Sequence, residues 1–187
     1  MLPVTNKFLQ NQFNNPQPIK LRDFKLEPLD PKHLGIYHQI YSSPETVRYQ
    51  RVNRCTNKTQ SLDQLKSRLA RRDQAKASYY IVYHHNKPVG GFSINRINYS
   101  QRHFSIGFGI LKKYWGRGLA TKLVTRFTAW AYQNVKPSVI KANTMKGNLA
   151  SQQVLQRAGF SRYYTRRKGA EIRGKRHDVY YYRLPKT

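Results

Sequence analysis

The sequence is poor in cysteine and in acid. A single thiol, Cys55, in 187 residues rules out an internal disulfide, and no group of His, Cys and Asp has metal-ligand spacing, so no metal is expected. Cys55 itself lies in a polar stretch and reads as a bystander. Only 8 residues are Asp or Glu against 35 Lys and Arg, a formal charge of +27 with a pI near 10.6. Such a field concentrates anions and leaves little acid with which to line a pocket for a polycation. No segment is long and apolar enough to cross a bilayer. The opening stretch MLPVTNKFLQNQFNNPQP lacks the apolar core of a signal peptide, and its Asn, Gln and Pro suggest a flexible tail over 1–18 of a cytoplasmic protein with no membrane partner.

What is present supports one core. A 39% hydrophobic content over 187 residues fills a single domain, taken as 19–187, and no internal repeat divides it. Period-2 and period-3.6 patterns place strands at 25–29, 79–83, 89–95, 104–110, 139–144, 163–168 and 179–184. They place helices at 31–41, 61–73 and 119–132, with one more opening at Asn148. Ser61 with Gln64 reads as a capping box for the second helix, whose face is Leu62, Leu65 and Leu69. Asn86-Lys87 reads as a hairpin turn, and Arg166, Arg167, Lys168, Arg173, Lys175 and Arg176 lie in and around a terminal hairpin loop. The alternation predicts an α/β fold with a mixed, twisted sheet and helices on both faces.

The most informative stretch is SIGFGILKKYWGRGLATKLV, residues 105–124. Ile106, Phe108 and Ile110 alternate as in a strand, and Leu119, Leu123, Val124 and Phe127 recur as in a helix. Between them Gly116 and Gly118 allow close backbone approach, and a helix start carries unpaired N–H groups and the positive end of the helix dipole, so the junction suits a phosphate. It is not a P-loop, which needs Gly-Lys-Ser/Thr. It is not a dinucleotide fingerprint either: Thr121 stands where a third small residue belongs, and no acid lies near Ala142, roughly 20 positions on.

The stretch resembles the pyrophosphate loop of the GNAT superfamily of N-acetyltransferases, Gln/Arg-x-x-Gly-x-Gly/Ala, in the form used by the RimJ/RimL-like ribosomal-protein branch: residues 114–121 read YWGRGLAT. A second block agrees, with Asn148 and Ser151, Val154-Leu155 and Gly159-Phe160. Read alone, that block is a helix capped by Asn148, packed through Ala150, Val154, Leu155 and Ala158, and ended by a left-handed Gly159. Ser43-Pro44-Glu45, Arg48-Tyr49 and the 87–91 stretch KPVGG agree as well, and the resemblance covers 19–184. It implies a mostly antiparallel GNAT sheet of six to seven strands and acetyl-CoA as acetyl donor. Backbone of Phe108 and Ile110 would meet the pantetheine arm. Trp115, Gly116, Arg117, Gly118, Leu119, Ala120 and Thr121 would wrap the pyrophosphate, with charge added by Arg117, Lys112 and Lys113.

For catalysis the resemblance implies Ser151 as hydrogen-bond donor to the departing sulfur, with Asn148 orienting the cofactor or the loop and both residues meeting the cofactor; Ser151 also reads as an ordinary third residue of a helix. Leu155 stands where the wider superfamily has a tyrosine acid, and Ser105 where this branch has a glutamate. A base would therefore work through water from Asp178, Glu171 or His177, with Asp178 favoured by the resemblance. An α-amine, with a reference pKa near 8, is about a tenth neutral at pH 7, whereas lysine near 10.4 carries a further deficit of about 3.3 kcal/mol. A protein N-terminus is therefore the expected acceptor. Two other readings stay open: a small-molecule amine acetyltransferase, and a catalytically degenerate fold that binds RNA or ribosome. One CoA uses few basic groups, so the excess charge points to ribosome, RNA or an acidic protein as second partner, or to a compositional bias.

Overall fold

Strand periodicity and turn chemistry build one eight-stranded sheet. The computed structural model describes residues 15–74 and 77–186; residues 1–14 of the expected tail lie outside them. The strands are β1 (Ile19–Leu21), β2 (Phe24–Pro28), β3 (Ala77–His84), β4 (Lys87–Asn98), β5 (His103–Ile110), β6 (Val139–Met145), β7 (Ser161–Ile172) and β8 (Lys175–Pro185). Their order is β1-β2-β3-β4-β5-β6-β8-β7, and all neighbours run antiparallel except β5 and β6. That parallel pair needs a crossover, supplied by helix α4 (Leu119–Asn134), because a tight turn cannot join parallel strands. The remaining helices are α1 (Leu34–Ser42), α2 (Pro44–Val47), α3 (Lys58–Asp73) and α5 (Leu149–Arg157). Among the described residues no helix is long and apolar enough to cross a membrane.

Helices cover both faces of the sheet's central strands. On one, the α4 stripe of Leu119, Leu123, Val124, Phe127 and Ala131 is buried on Phe92, Phe104, Ile106 and Ile140. Phe127 is fully buried, with its ring centroid 4.5 Å from that of Phe92 and 6.3 Å from that of Phe104. On the other, α1 and α3 bring Tyr37, Ile40 and Leu65 onto Ile81.

Six local expectations change. There are eight strands rather than six to seven, since β1 has only 3 residues, too few for an alternating pattern to register. The 31–41 helix begins as a 3-10 turn, Pro31–His33, capped by Asp30. Helix α3 starts one turn before Ser61: Asn57 Oδ1 accepts the Gln60 N–H at 2.9 Å. Ser61 is instead buried inside the helix, its Oγ 2.8 Å from His38 Nδ1. The first hairpin turns at His85 and Asn86, with φ of 46° and 60°, the mirror-image geometry that suits sheet twist. The terminal hairpin turns at Arg173-Gly174, so most of the expected basic loop is strand. Cys55, despite its polar sequence surroundings, is buried.

Two outcomes test this packing. Phe127→Ala should lower the free energy of unfolding by about 3–5 kcal/mol, measured by urea denaturation. Glu27 bridges Lys25 and Lys32, each at 2.9 Å, and the Lys32 contact followed by that of Lys25 holds its carboxyl down at about 2, from 4.5. A depressed carboxyl stabilises the fold above its unfolded pKa and loses that contribution as pH falls through its folded value. The melting-temperature gap between wild type and Glu27→Gln should therefore be full above about pH 4.5 and close as the pH drops towards 2.

Candidate active site

The site begins where a parallel pair ends. β5 and β6 are paired only from His103 with Val139 to Ile106 with Ala142. Beyond that point β5 stays on β4 as far as Ile110, and β6 stays on β8 as far as Met145. The strands splay, opening a cleft of about 1290 Å³ at their carboxyl ends, the place where such sheets hold ligands. Leu111 N–H donates to Val89 O on β4 at 2.8 Å, so by strand alternation Phe108 and Ile110 turn their backbone groups to the open side. Ile110 O is already taken by the Trp115 indole N–H at 2.6 Å. Its N–H and the backbone of Phe108 remain for an extended ligand.

The next junction is built for an anion. Gly116 and Gly118 have φ of 75° and 69°, left-handed values that glycine adopts without strain, and a Cβ at either would meet nothing within 4 Å. Gly118 is the N-cap of α4 and supplies no side chain. The first intrahelical bond runs from Lys122 N–H to Gly118 O at 3.0 Å, so the N–H groups of Leu119, Ala120 and Thr121 have no helical acceptor. They face an open glycine cradle at the positive end of a 16-residue helix, an arrangement that fits a pyrophosphate.

Of the residues singled out in the sequence, Phe108, Ile110, Trp115, Gly116, Gly118, Leu119, Ala120, Thr121, Asn148 and Ser151 all line this one cleft. Asn148 Oδ1 caps α5 by accepting the Ser151 N–H at 3.2 Å, and the Ser151 hydroxyl has no protein partner among the described residues. Arg117 is not in the lining; its guanidinium lies 5.8 Å from the centroid of the Tyr114 ring. Asp178, Glu171 and His177 are also outside it. Asp178 has structural work instead: Oδ1 accepts the Lys168 N–H at 2.9 Å, steadying a register break in β7 where Lys168 has φ 47°. Oδ2 lies 4.0 Å from Lys146 Nζ.

Sequence reasoning missed the roof and the far chamber. Segment 45–52 spans the splay, Gln50 lying against Gly109 and Tyr49 against Gly147. Arg173 anchors it through the carbonyl oxygens of Arg48 and Val47, each at 3.2 Å. Lys112 Nζ fixes its start to Glu45 at 2.5 Å, and that contact holds the Glu45 carboxyl down at about 2. On the α1/α3 side, Arg68 reaches into the cleft from α3. The signal was a charged residue one turn after Leu65 on an otherwise apolar face. Elsewhere, Asp23, His84 and His85 bring ligand-type atoms within 4.8 Å of one another, but Arg126 pairs with Asp23, a positive charge where a cation would have to sit.

Comparisons with known proteins agree with this geometry. The Acetyltransferase (GNAT) domain profile matches residues 23–161. An uncharacterised N-acetyltransferase of Bacillus licheniformis, p20, is 27% identical over 175 residues, 90% of this chain and 93% of that protein. Two solved structures share the fold. The Salmonella typhimurium acetyltransferase that modifies the N-terminal serine of ribosomal protein L7/L12 gives a TM-score of 0.79 at 17% identity, over 91% of this chain and 100% of its own. A microcin self-immunity acetyltransferase, solved with acetyl-CoA and AMP, gives 0.79 at 18%, over 92% and 98%. The profile spans well over half of the chain, which belongs to the GNAT acetyltransferase family.

Proposed function

We propose that the protein transfers acetyl from acetyl-CoA to the N-terminal α-amine of a ribosomal or other cytoplasmic protein. The observation that carries this reading is the convergence of the α4 glycine cradle, the open edge of β5 and the Ser151 hydroxyl on one cleft. The L7/L12-modifying and acetyl-CoA-bound structures that share the fold support it. Acetyl-CoA, when bound, supplies the acetyl group as a reactive thioester. The N–H groups of Leu119, Ala120 and Thr121 would hold its pyrophosphate, with Lys113 and Arg117, both beside the Tyr114 ring, adding charge from outside the lining. The free N–H groups of Phe108 and Ile110 would take the pantetheine arm in the manner of an added strand and donate to the oxygen on which charge develops. Ser151 would donate to the departing sulfur from the first turn of α5. No metal is required by these roles.

Deprotonation needs a different account from the one the sequence suggested, because among the described residues Glu45 is the only acidic side chain in the cleft lining and it is tied to Lys112. The rest of the lining is rich in arginine. Like charge disfavours the protonated amine, so the site selects the neutral α-amine already present in solution, and water accepts the remaining proton. A lysine side chain begins too far from neutrality for that route.

The exposed β7–β8 ribbon adds a docking surface. Arg166, Arg167, Lys168, Lys175 and Arg176 are exposed along it, with Tyr163 and Tyr164 44% and 54% exposed, a basic and aromatic surface suited to ribosomal RNA. Association through it would weaken steeply with added salt.

Isotope-labelled acetyl-CoA with salt-washed ribosomes and cytosolic proteins, followed by mass spectrometry, should place label on one or a few protein N-termini. Label on lysine side chains or on small amines alone would overturn the reading. Gly118→Val, which forces a branched side chain into a left-handed backbone and fills the cradle, should weaken CoA binding about tenfold or more by calorimetry. Ser151→Ala should lower kcat about a hundredfold with little change in CoA affinity.

A further inference from the structure

The acceptor half of the cleft has a chemistry that the acetyl-transfer roles leave unused. Its floor is polar: Ser93, Asn95, Ser105 and Gly107 share one face of β4 and β5 by register, with Asn95 Nδ2 donating to Ser93 Oγ at 2.9 Å. Above this face stands Arg68. Its guanidinium lies 4.6 Å from the ring centroid of Tyr41 and 4.5 Å from that of Tyr79, and its Nε donates to Tyr37 Oη at 2.8 Å. Burial raises the Tyr37 hydroxyl well above the ordinary phenol range, so that partner stays neutral.

A guanidinium withdrawn among aromatic rings is normally matched by a carboxylate, since removing charge from water is unfavourable unless it is paired. Here none is present. All 8 acids of the chain lie within the described residues, and none forms an ion pair with Arg68. Five of them are committed elsewhere: Asp23 with Arg126, Glu27 with Lys32, Glu45 with Lys112, Asp73 with Arg72 and Asp178 with Lys146. The terminal nitrogens of Arg68 have no protein acceptor among the described residues, while the residue lines the cleft together with Arg48, Arg51, Arg71 and Arg96. Composition accounts for exposed arginines such as Arg48, Arg51 and Arg96; it does not account for a guanidinium held between tyrosines and left without a counter-charge.

We propose that this chamber selects an anionic acceptor: a polypeptide N-terminus with an acidic residue among its first few side chains, whose carboxylate is received by the free terminal nitrogens of Arg68. The inference rests on the N-terminal acetylation reading and narrows its substrate class. The planar fork of arginine pairs with a carboxylate through two parallel hydrogen bonds, while the flanking arginines repel basic N-termini.

The test compares short peptides identical except for Asp, Asn or Lys at positions two and three, measuring affinity for the CoA-free protein by calorimetry and acetylation by mass spectrometry. A charged hydrogen-bond pair predicts binding about ten- to a hundredfold tighter for the Asp peptide than for the Asn peptide. That preference should collapse in Arg68→Gln, survive in part in Arg68→Lys, and persist in Lys66→Gln, which removes the same charge from an exposed position of α3. Equal binding of Asp and Lys peptides, or an acidic preference lost equally in Lys66→Gln, would overturn the proposal, leaving only the general field of a basic protein. Acetylation of all three peptides alike would also overturn it while sparing N-terminal acetylation. Tight binding of the acidic peptide without acetylation, alongside acetylation of free aspartate, would keep the anionic chamber and remove the polypeptide reading.

Discussion

The parting of β5 from β6 is the constraint on which the rest of the molecule turns. Four residue pairs, ending at Ile106 with Ala142, join the two halves of the sheet before the strands diverge. Each strand remains paired on its outer side, so the divergence leaves one row of backbone donors and acceptors on each inner edge. Unpaired backbone groups are stable only with water or a ligand, and the open edge of β5 is therefore left available to either. Trp115 reinforces the opening: its indole takes Ile110 O, ties the loop down beside the strand end and stops β5 from continuing into the gap. The helices that follow β5 and β6 then start on either side of the same opening, which is why the Gly118 cradle and the Asn148 cap face one cleft.

Scarcity of acid shapes the molecule as much as abundance of base. Its carboxylates mostly serve structure. Asp30 caps the turn that leads into α1, Glu27 gathers two lysines, and Asp178 steadies a bulge in β7. Glu45 reaches the cleft but is held by Lys112, a contact that joins the roof to the loop before α4. The cleft is thus cationic at both ends for different reasons. At the α4 end the positive potential comes from backbone N–H groups and the helix dipole. At the α3 end it comes from guanidinium groups.

These differences explain what could be seen in the sequence. The junction at 105–124 was legible because strand, turn and helix are contiguous and each is governed by local rules: alternation, left-handed glycine and 3.6-residue spacing. The Asn148 cap and the left-handed Gly159 were legible for the same reason. Local competition misled in two places. Ser61-x-x-Gln64 has the form of a capping box, but Asn57 is the better acceptor one turn earlier, and the Ser61 hydroxyl meets His38 of α1 instead. Asp178 looked like a base in a late strand, yet register brings Lys168 N–H to it across the hairpin. The chamber around Arg68 was invisible because Tyr37, Tyr41 and Tyr79 come from two other elements, and only the fold brings their rings together.

On the proposed function, the lack of an unpaired acid among the described residues of the cleft and the arginines there would be linked. A general base accelerates transfer by removing a proton, and a cationic chamber reaches the same end by disfavouring the protonated amine before reaction. For an α-amine of reference pKa about 8, lowering the pKa by one unit raises the neutral share at pH 7 from about a tenth to about half. Like charges nearby commonly cause shifts of that size. A bound carboxylate on Arg68 would cancel one positive charge and leave the rest of the lining in force, so anchoring the acceptor and keeping its amine neutral do not compete. A lysine acceptor would need a shift of more than three units to reach the same neutral share, beyond what partly solvated guanidinium groups supply through water-screened distances. Under the proposed function, the chemistry of the acceptor amine would therefore follow from the charge of the cleft, without a dedicated proton acceptor.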